Sequence, residues 1–150
     1  MENHEVLTLV SPDPPHRLKG IARLAGEHGW HLRTESPLSP PKGWHGDGVL
    51  AMLDGSPKLL DFIRAVRRRG IPVVDLIEDC PAVGVPRVTG DNAAIGRLAA
   101  EHFNARDFRH AAFFSLRRNH TRDLRLKGFR EAEGRDWERS ELAAAIRRDP

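Results

Sequence analysis

A chain of 150 residues with 39% hydrophobic content is long enough for one ordinary domain, and it contains no run of ~18 apolar residues to cross a membrane. Its 24 basic and 21 acidic side chains leave a net charge of +3, too small an imbalance to make a nucleic-acid binder by charge alone, and aromatics for base stacking amount to only 6%. One cysteine excludes an internal disulfide, and the start MENHEVLTLV lacks the basic and long apolar stretches of a signal peptide, so a cytoplasmic location is expected.

The apolar run at residues 5–10 predicts a first strand. It stops at Ser11-Pro12-Asp13-Pro14-Pro15, where clustered prolines permit only a loop and then a helix start. Leu18, Ile21, Ala22 and Ala25 supply the inner stripe of that helix, His28-Gly29 ends it, and Trp30 to Thr34 alternate as a short second strand. Pro37, Pro40 and Pro41 then impose an irregular surface connection where a regular alternation would place a helix. Residues 48–53 resume as strand. Ser56-Pro57 reads as a cap with a first-turn proline, Leu59, Ile63 and Val66 form the inner stripe, and Gly70 sits where a left-handed cap belongs. The basic run Arg67-Arg68-Arg69 ends this helix, where cations complement the dipole and the last carbonyls. Residues 72–77 predict another buried strand, interrupted by Asp75, and a proline-flanked loop over 79–86 follows.

At Gly90-Asp91-Asn92 the chain turns abruptly, and the Asp91 carboxylate can accept hydrogen bonds from the first free amides of a helix starting near Asn92. Ile95, Leu98, Ala99, His102 and Phe103 recur at helical spacing and predict its buried stripe. Asp107 and Arg109 mark a turn before Ala111-Ala112-Phe113-Phe114, an apolar run suited to a parallel strand covered on both faces. Leu116 to Arg122 is polar loop; Leu124, Gly128, Phe129 and Ala132 predict a further helix, and Ser140, Leu142, Ala145 and Ile146 a last short one. Alternating strand and helix argues for an α/β protein, a Rossmann-like parallel sheet with flanking helices, whose ligands bind beyond the carboxyl ends of the strands.

Asp13 and Arg17 after the first strand, Asp54 after the third, Asp75 in the fourth, Asp91 at the turn and Arg125 beyond the last strand all fall at that edge. Carboxylates with a fork-shaped guanidinium supply the paired acceptors and donors that a polyol needs. Each has a plainer use: Asp91 as a helix cap, Asp54 as a turn residue, Arg125 as a solvated helix arginine. Gly46-Asp47-Gly48-Val49-Leu50-Ala51 matches a dinucleotide fingerprint by letters but opens a strand instead of a helix, and Trp44 before it fits an indole covering a sheet edge. The eight histidines show no metal-ligand spacing, so neither metal nor cofactor is expected, and Cys80 reads as a passive loop thiol. The competing reading is a small α/β enzyme or flavodoxin-like receiver in which Asp13, Asp54 and Asp75 hold Mg²⁺ and one accepts a phosphoryl group.

Asp91-Asn92 followed by Gly96-Arg97-Leu98-Ala99-Ala100-Glu101-His102 and then Ala112-Phe113-Phe114 resembles the effector domain of LacI/GalR-type regulators. Trp44-His45-Gly46-Asp47-Gly48-Val49 ahead of a strand, with no DNA-binding headpiece before Val6, is similar to the xylose-operon regulators, whose AraC-type helix-turn-helix domain is C-terminal. The resemblance spans residues 5 to 134 and implies a periplasmic-binding-protein-like type I fold: residues 1–90 as the N-terminal lobe, 91–150 as the crossing and start of an incomplete second lobe, and no DNA-binding domain. It further implies a sugar effector, xylose or a related pentose, and no catalysis; DNA would be met only through the missing domain. Arg125, three residues before Gly128-Phe129, matches an arginine of those regulators, so the ligand set is Asp13, Arg17, Asp75, Asp91 and Arg125, with Asp91 and Arg125 on opposite walls of one cleft. An unfinished second lobe would leave Phe113, Phe114 and Phe129 short of partners, and a homodimer is expected.

Overall fold

The computed structural model describes residues 4–11, 15–108, 111–116 and 118–132. Contacts divide the chain into two units, residues 1–89 and 90–150.

The first unit contains β1 (Glu5–Leu9), α1 (Pro15–His28), β2 (His31–Glu35), β3 (Gly48–Ala51), α2 (Pro57–Arg68) and β4 (Val73–Asp75). All neighbouring strands pair in parallel in the order β2-β1-β3-β4, so the α/β expectation holds. Parallel strands need crossovers. Helix α1 supplies the first and α2 the last, while an irregular segment with Pro37, Pro40 and Pro41 connects β2 to β3. The strands are shorter than their apolar runs because pairing partners run out: β3 ends at Ala51 and β4 at Asp75. Beyond β4 the sheet continues only as a bridge between Asp75 and Arg87, closed by Asp75 N–H to Pro86 O at 2.8 Å and Val88 N–H to Asp75 O at 2.9 Å.

Leu7, Leu9, Val49 and Ala51 from the strands and Leu53 just beyond β3 meet Leu59, Ile63 and Val66 of α2, with Val73 and Val85 beside them, to form the core. Full burial of each such Leu, Ile or Val contributes about 1.5–3 kcal/mol before ordering entropy is set against it. The α2 stripe is the predicted one. Its C-terminus closes with Gly70 N–H to Arg67 O at 2.9 Å and Ile71 N–H to Val66 O at 3.2 Å, a geometry that needs the left-handed backbone of Gly70, φ 79°. Its start differs from expectation: Ser56 occupies the cap position, but its hydroxyl makes no capping bond. Helix α1 is less deeply seated, with Ala25 buried, Leu18 and Ile21 half-buried and Ala22 exposed.

Trp44 belongs to the core, and its indole Nε1 donates to Glu5 Oε1 at 2.9 Å. Glu5 opens β1, so this indole covers the amino end of the sheet, away from the edge where ligands of such folds bind. The glycine-rich stretch beside it opens β3, and the ring packs against Gly46, where a Cβ would collide with it.

The second unit holds α3 (Asn92–Asn104) and α4 (His120–Glu131). They cross closely because two glycines face backbone: a Cβ on Gly96 would strike Arg125 O, and one on Gly128 would strike Ala93 O. The buried face of α3 is therefore Asn92, Gly96 and Ala100, with half-buried Phe103 packed edge-to-face on Phe129 at 6.3 Å. This corrects the predicted stripe, since Ile95 is 43% and Leu98 63% exposed and Ala99 and His102 are also exposed. Close helix approach selects small residues, and a stripe of small residues is invisible to hydrophobic periodicity. Residues 111–116 form no strand, contrary to expectation, because among the described residues no strand pairs with them. Phe114 is 67% exposed, whereas Phe129 is buried at 6% and thus not short of partners. Helix α4 starts earlier than its apolar pattern, at His120, because Asn119 Oδ1 accepts from Arg122 N–H at 2.9 Å. The helix expected at 140–146 lies outside the described residues.

Candidate functional site

The chain leaves β1 for β2 on one side and returns to β3 on the other, so the carboxyl ends of β1 and β3 flank the point where strand order reverses. In open sheets of this kind the loops diverge at such a point and leave room for a ligand. Arg17, in the first turn of α1, reaches this point: its Nη1 lies 3.2 Å from the Met52 sulfur, just beyond β3. A thioether is a weak acceptor, and among the described residues no carboxylate pairs with this half-buried guanidinium. Arg17 thus carries unused donor capacity at the carboxyl edge. Asp13, assigned to the same loop, lies outside the described residues.

Asp54 and Asp75 follow along the same edge. Asp54 is exposed and its Oδ1 accepts from Ser56 N–H at 3.0 Å, the turn-residue alternative. Asp75 is fully buried. Its Oδ1 accepts from Leu53 N–H at 3.3 Å and Ile77 N–H at 3.0 Å, which clamps the carboxyl ends of β3 and β4 together. Its other oxygen, Oδ2, is buried with no hydrogen-bond partner among the described residues. Burial pushes this carboxyl above the usual carboxylate range; the amides of Ile77 and Leu53 and the Arg87 charge pull against that, and Asp79 adds to it. The acid is closed to solvent in this structure, which also sets it against holding a solvent-facing Mg²⁺. Among the described residues, no three His, Cys, Asp or Glu side chains gather as a metal-holding group.

Cys80 lies near Gly55 on the same edge, and burial, followed by the carboxylates of Asp75, Asp79 and Asp54, pushes its thiol up. A thiol held protonated is a poor nucleophile, as expected for a passive cysteine.

In the second unit Asp91 and Arg125 share one helix start. Asp91 Oδ1 accepts from Ala94 N–H at 2.8 Å as the α3 cap, and its Oδ2 lies 3.8 Å from Arg97 Nη2. Arg125 Nε donates to Oδ1 of buried Asn92, the first residue of α3, at 3.0 Å. The expected arrangement on opposing walls is therefore not found: both residues belong to the same unit and meet through Asn92. Sequence reasoning missed Asn92 because an Asn after a cap carries no special signal. It missed Arg87 as well, since one bridging residue between Pro86 and Val88 has no strand periodicity. Two shallow depressions, of about 340 Å³ at Arg64, Arg67 and Arg68 and about 270 Å³ along Gly70 to Val74 and Gly84 to Pro86, include none of the predicted ligand residues.

No protein-family model matches the chain, and no curated protein matches it significantly. Two solved structures do. One is GanP, a glucose-galactose binding protein from Geobacillus stearothermophilus, with a TM-score of 0.67 at 23% identity over 89% of this chain and 55% of that one. The other is a transcription regulator from Lactobacillus plantarum, with a TM-score of 0.62 at 19% identity over 86% of this chain and 50% of that one. The chain thus shares its fold with these two proteins and spans about half the length of each.

Proposed function

We propose that the chain belongs to the ligand-sensing part of a sugar-responsive transcription regulator, of the xylose-operon kind, with the sugar held at the carboxyl edge of the sheet. The observation that carries this reading is Arg17 at the reversal point of the strand order, with donors that no acid among the described residues occupies. Guanidinium donors suit vicinal hydroxyls, and Asp54, two residues beyond Met52, is an exposed carboxylate on the same loop. Asp75 acts from behind by fixing the ends of β3 and β4.

The reading assigns no catalysis. A sensor acts through a difference in affinity between two states, so sugar must favour one arrangement of the regulator over another, and a separate domain would read DNA. A pentose such as xylose is the preferred effector on the sequence resemblance, with glucose and galactose as hexose comparators. Isothermal titration of D-xylose, D-glucose and D-galactose, into wild type and Arg17→Ala, tests the site: binding of one sugar, weakened in the variant, supports it.

A further inference from the structure

Asp75 and Arg87 are directly paired across the sheet edge, and in a parallel pair such residues project to the same face. Asp75 has no exposed surface, and its Oδ2 has no partner among the described residues; Arg87 Nε is likewise buried and without one. The rest of the guanidinium is engaged elsewhere, with Nη1 3.7 Å from Glu78 Oε1 and Nη2 donating to Pro81 O at 3.3 Å. These anchors hold Arg87 back from a direct ion pair with Asp75, although its charge is felt at the carboxylate. A buried acceptor and a buried donor thus face one region, and each left unsatisfied costs the desolvation of its group.

We propose that Asp75 Oδ2 and Arg87 Nε form a subsite for one hydroxyl oxygen, which donates its proton to the carboxylate and accepts from the guanidinium. A single oxygen that donates one proton to the carboxylate and accepts one from the guanidinium satisfies both groups, which neither a cation nor a carboxylate would do. Two sources share this chemistry: an internal water, as polar groups set apart by more than hydrogen-bond distance commonly recruit, or, where binding opens this sealed edge, a hydroxyl of the sugar. The sugar alternative rests on the function proposed above; the water alternative does not. Either occupant ties the clamp at the ends of β3 and β4 to the segment that leads to Thr89 and the end of the first unit.

High-resolution crystal structures of the chain, wild type and Arg87→Lys, without sugar and with D-xylose, D-glucose or D-galactose, test the subsite. Lysine keeps the charge near Glu78 but places a methylene where Nε stood. The expected result is one ordered oxygen within hydrogen-bond distance of Asp75 Oδ2 and Arg87 Nε in wild type, lost from that position in Arg87→Lys. A sugar oxygen there identifies the ligand as the source, and a water retained beside bound sugar identifies water. A direct Asp75–Arg87 ion pair, no oxygen between them, or an oxygen undisturbed in Arg87→Lys would overturn the proposal. Because the sugar-free arm stands alone, a failure of sugar binding is read separately. Should Arg87→Lys fail to fold, exchange of the Arg87 Nε–H with water in wild type, followed by NMR, gives the same decision: a persistent contact with one long-lived water or sugar proton supports the subsite, and its absence overturns it.

Discussion

Asp75 shows how one side chain can hold a fold together while opposing it electrostatically. Its Oδ1 satisfies two backbone amides, yet burial raises its folded pKa above the ordinary value of 3.8, against the pull of Arg87 and with the push of Asp79, while Cys80 beside it stays protonated. The native state then holds its proton to higher pH than the unfolded state, so this group's contribution is full below its unfolded pKa and is lost as pH rises through the folded one. Asp75→Asn keeps an oxygen for the two amides and removes the buried charge. Urea unfolding should show wild type losing stability relative to Asp75→Asn as pH rises above the ordinary value of 3.8; a pH-independent difference would mean that burial does not raise this acid. Asp91 separates capping from ligand binding in the same way: Asp91→Ala should cost about 1 kcal/mol in stability and Asp91→Asn only a small fraction of it, because Asn still caps. Equal losses in thermal unfolding would show that capping by Oδ1 is not what Asp91 supplies. The sequence made the cap legible, since Gly90-Asp91-Asn92 before an apolar run is a local signal. It could not reveal that Asp75 is sealed, which depends on partners from Leu53 to Arg87.

Among the elements, α2 is readable in its stripe and its Gly70 stop, which are local; the Ser56 cap is not made, and Arg67 and Arg69 bond to the carbonyls of Val83 and Trp44 instead of the helix's own last carbonyls. Helix α3 was readable as a helix but not in its orientation. Its predicted stripe at Ile95 and Leu98 faces away from α4, because contact with α4 is set by Gly96 and Gly128 and not by apolar bulk. A Cβ at either glycine must displace backbone, so Gly96→Ala and Gly128→Ala should each destabilise the second unit by roughly 1–3 kcal/mol, with no comparable loss in the first. Amide hydrogen exchange resolved by residue checks this: faster exchange confined to α3 and α4 is expected, and unchanged protection there would contradict the packing. The apolar run at 111–114 has the pattern of a strand but forms none, because such a pattern reports a buried surface and not whether a neighbouring strand exists to pair with it.

For the whole molecule, fold class and strand alternation followed from the order of punctuated segments, and the parallel sheet has the expected character. The ligand site was legible only as a list of polar residues near strand ends. Of these, Arg17 and Asp75 share the carboxyl edge of one unit, while Asp91 and Arg125 share a helix start in the other. Exposed Leu98 and Phe114 support self-association, so sedimentation should show concentration-dependent dimers that Leu98→Glu or Phe114→Ser weakens; monomer at every concentration would contradict it. The account as a whole stands on sugar recognition by Arg17 in the protein as its gene encodes it. Calorimetric titration with D-xylose, D-glucose and D-galactose should give saturable binding of at least one sugar. Arg17→Ala should weaken that binding about ten- to a hundredfold, the loss of charge-assisted hydrogen bonds of roughly 1.5–3 kcal/mol, with thermal stability unchanged. No binding of any of the three sugars, or equal affinity in Arg17→Ala, would contradict it.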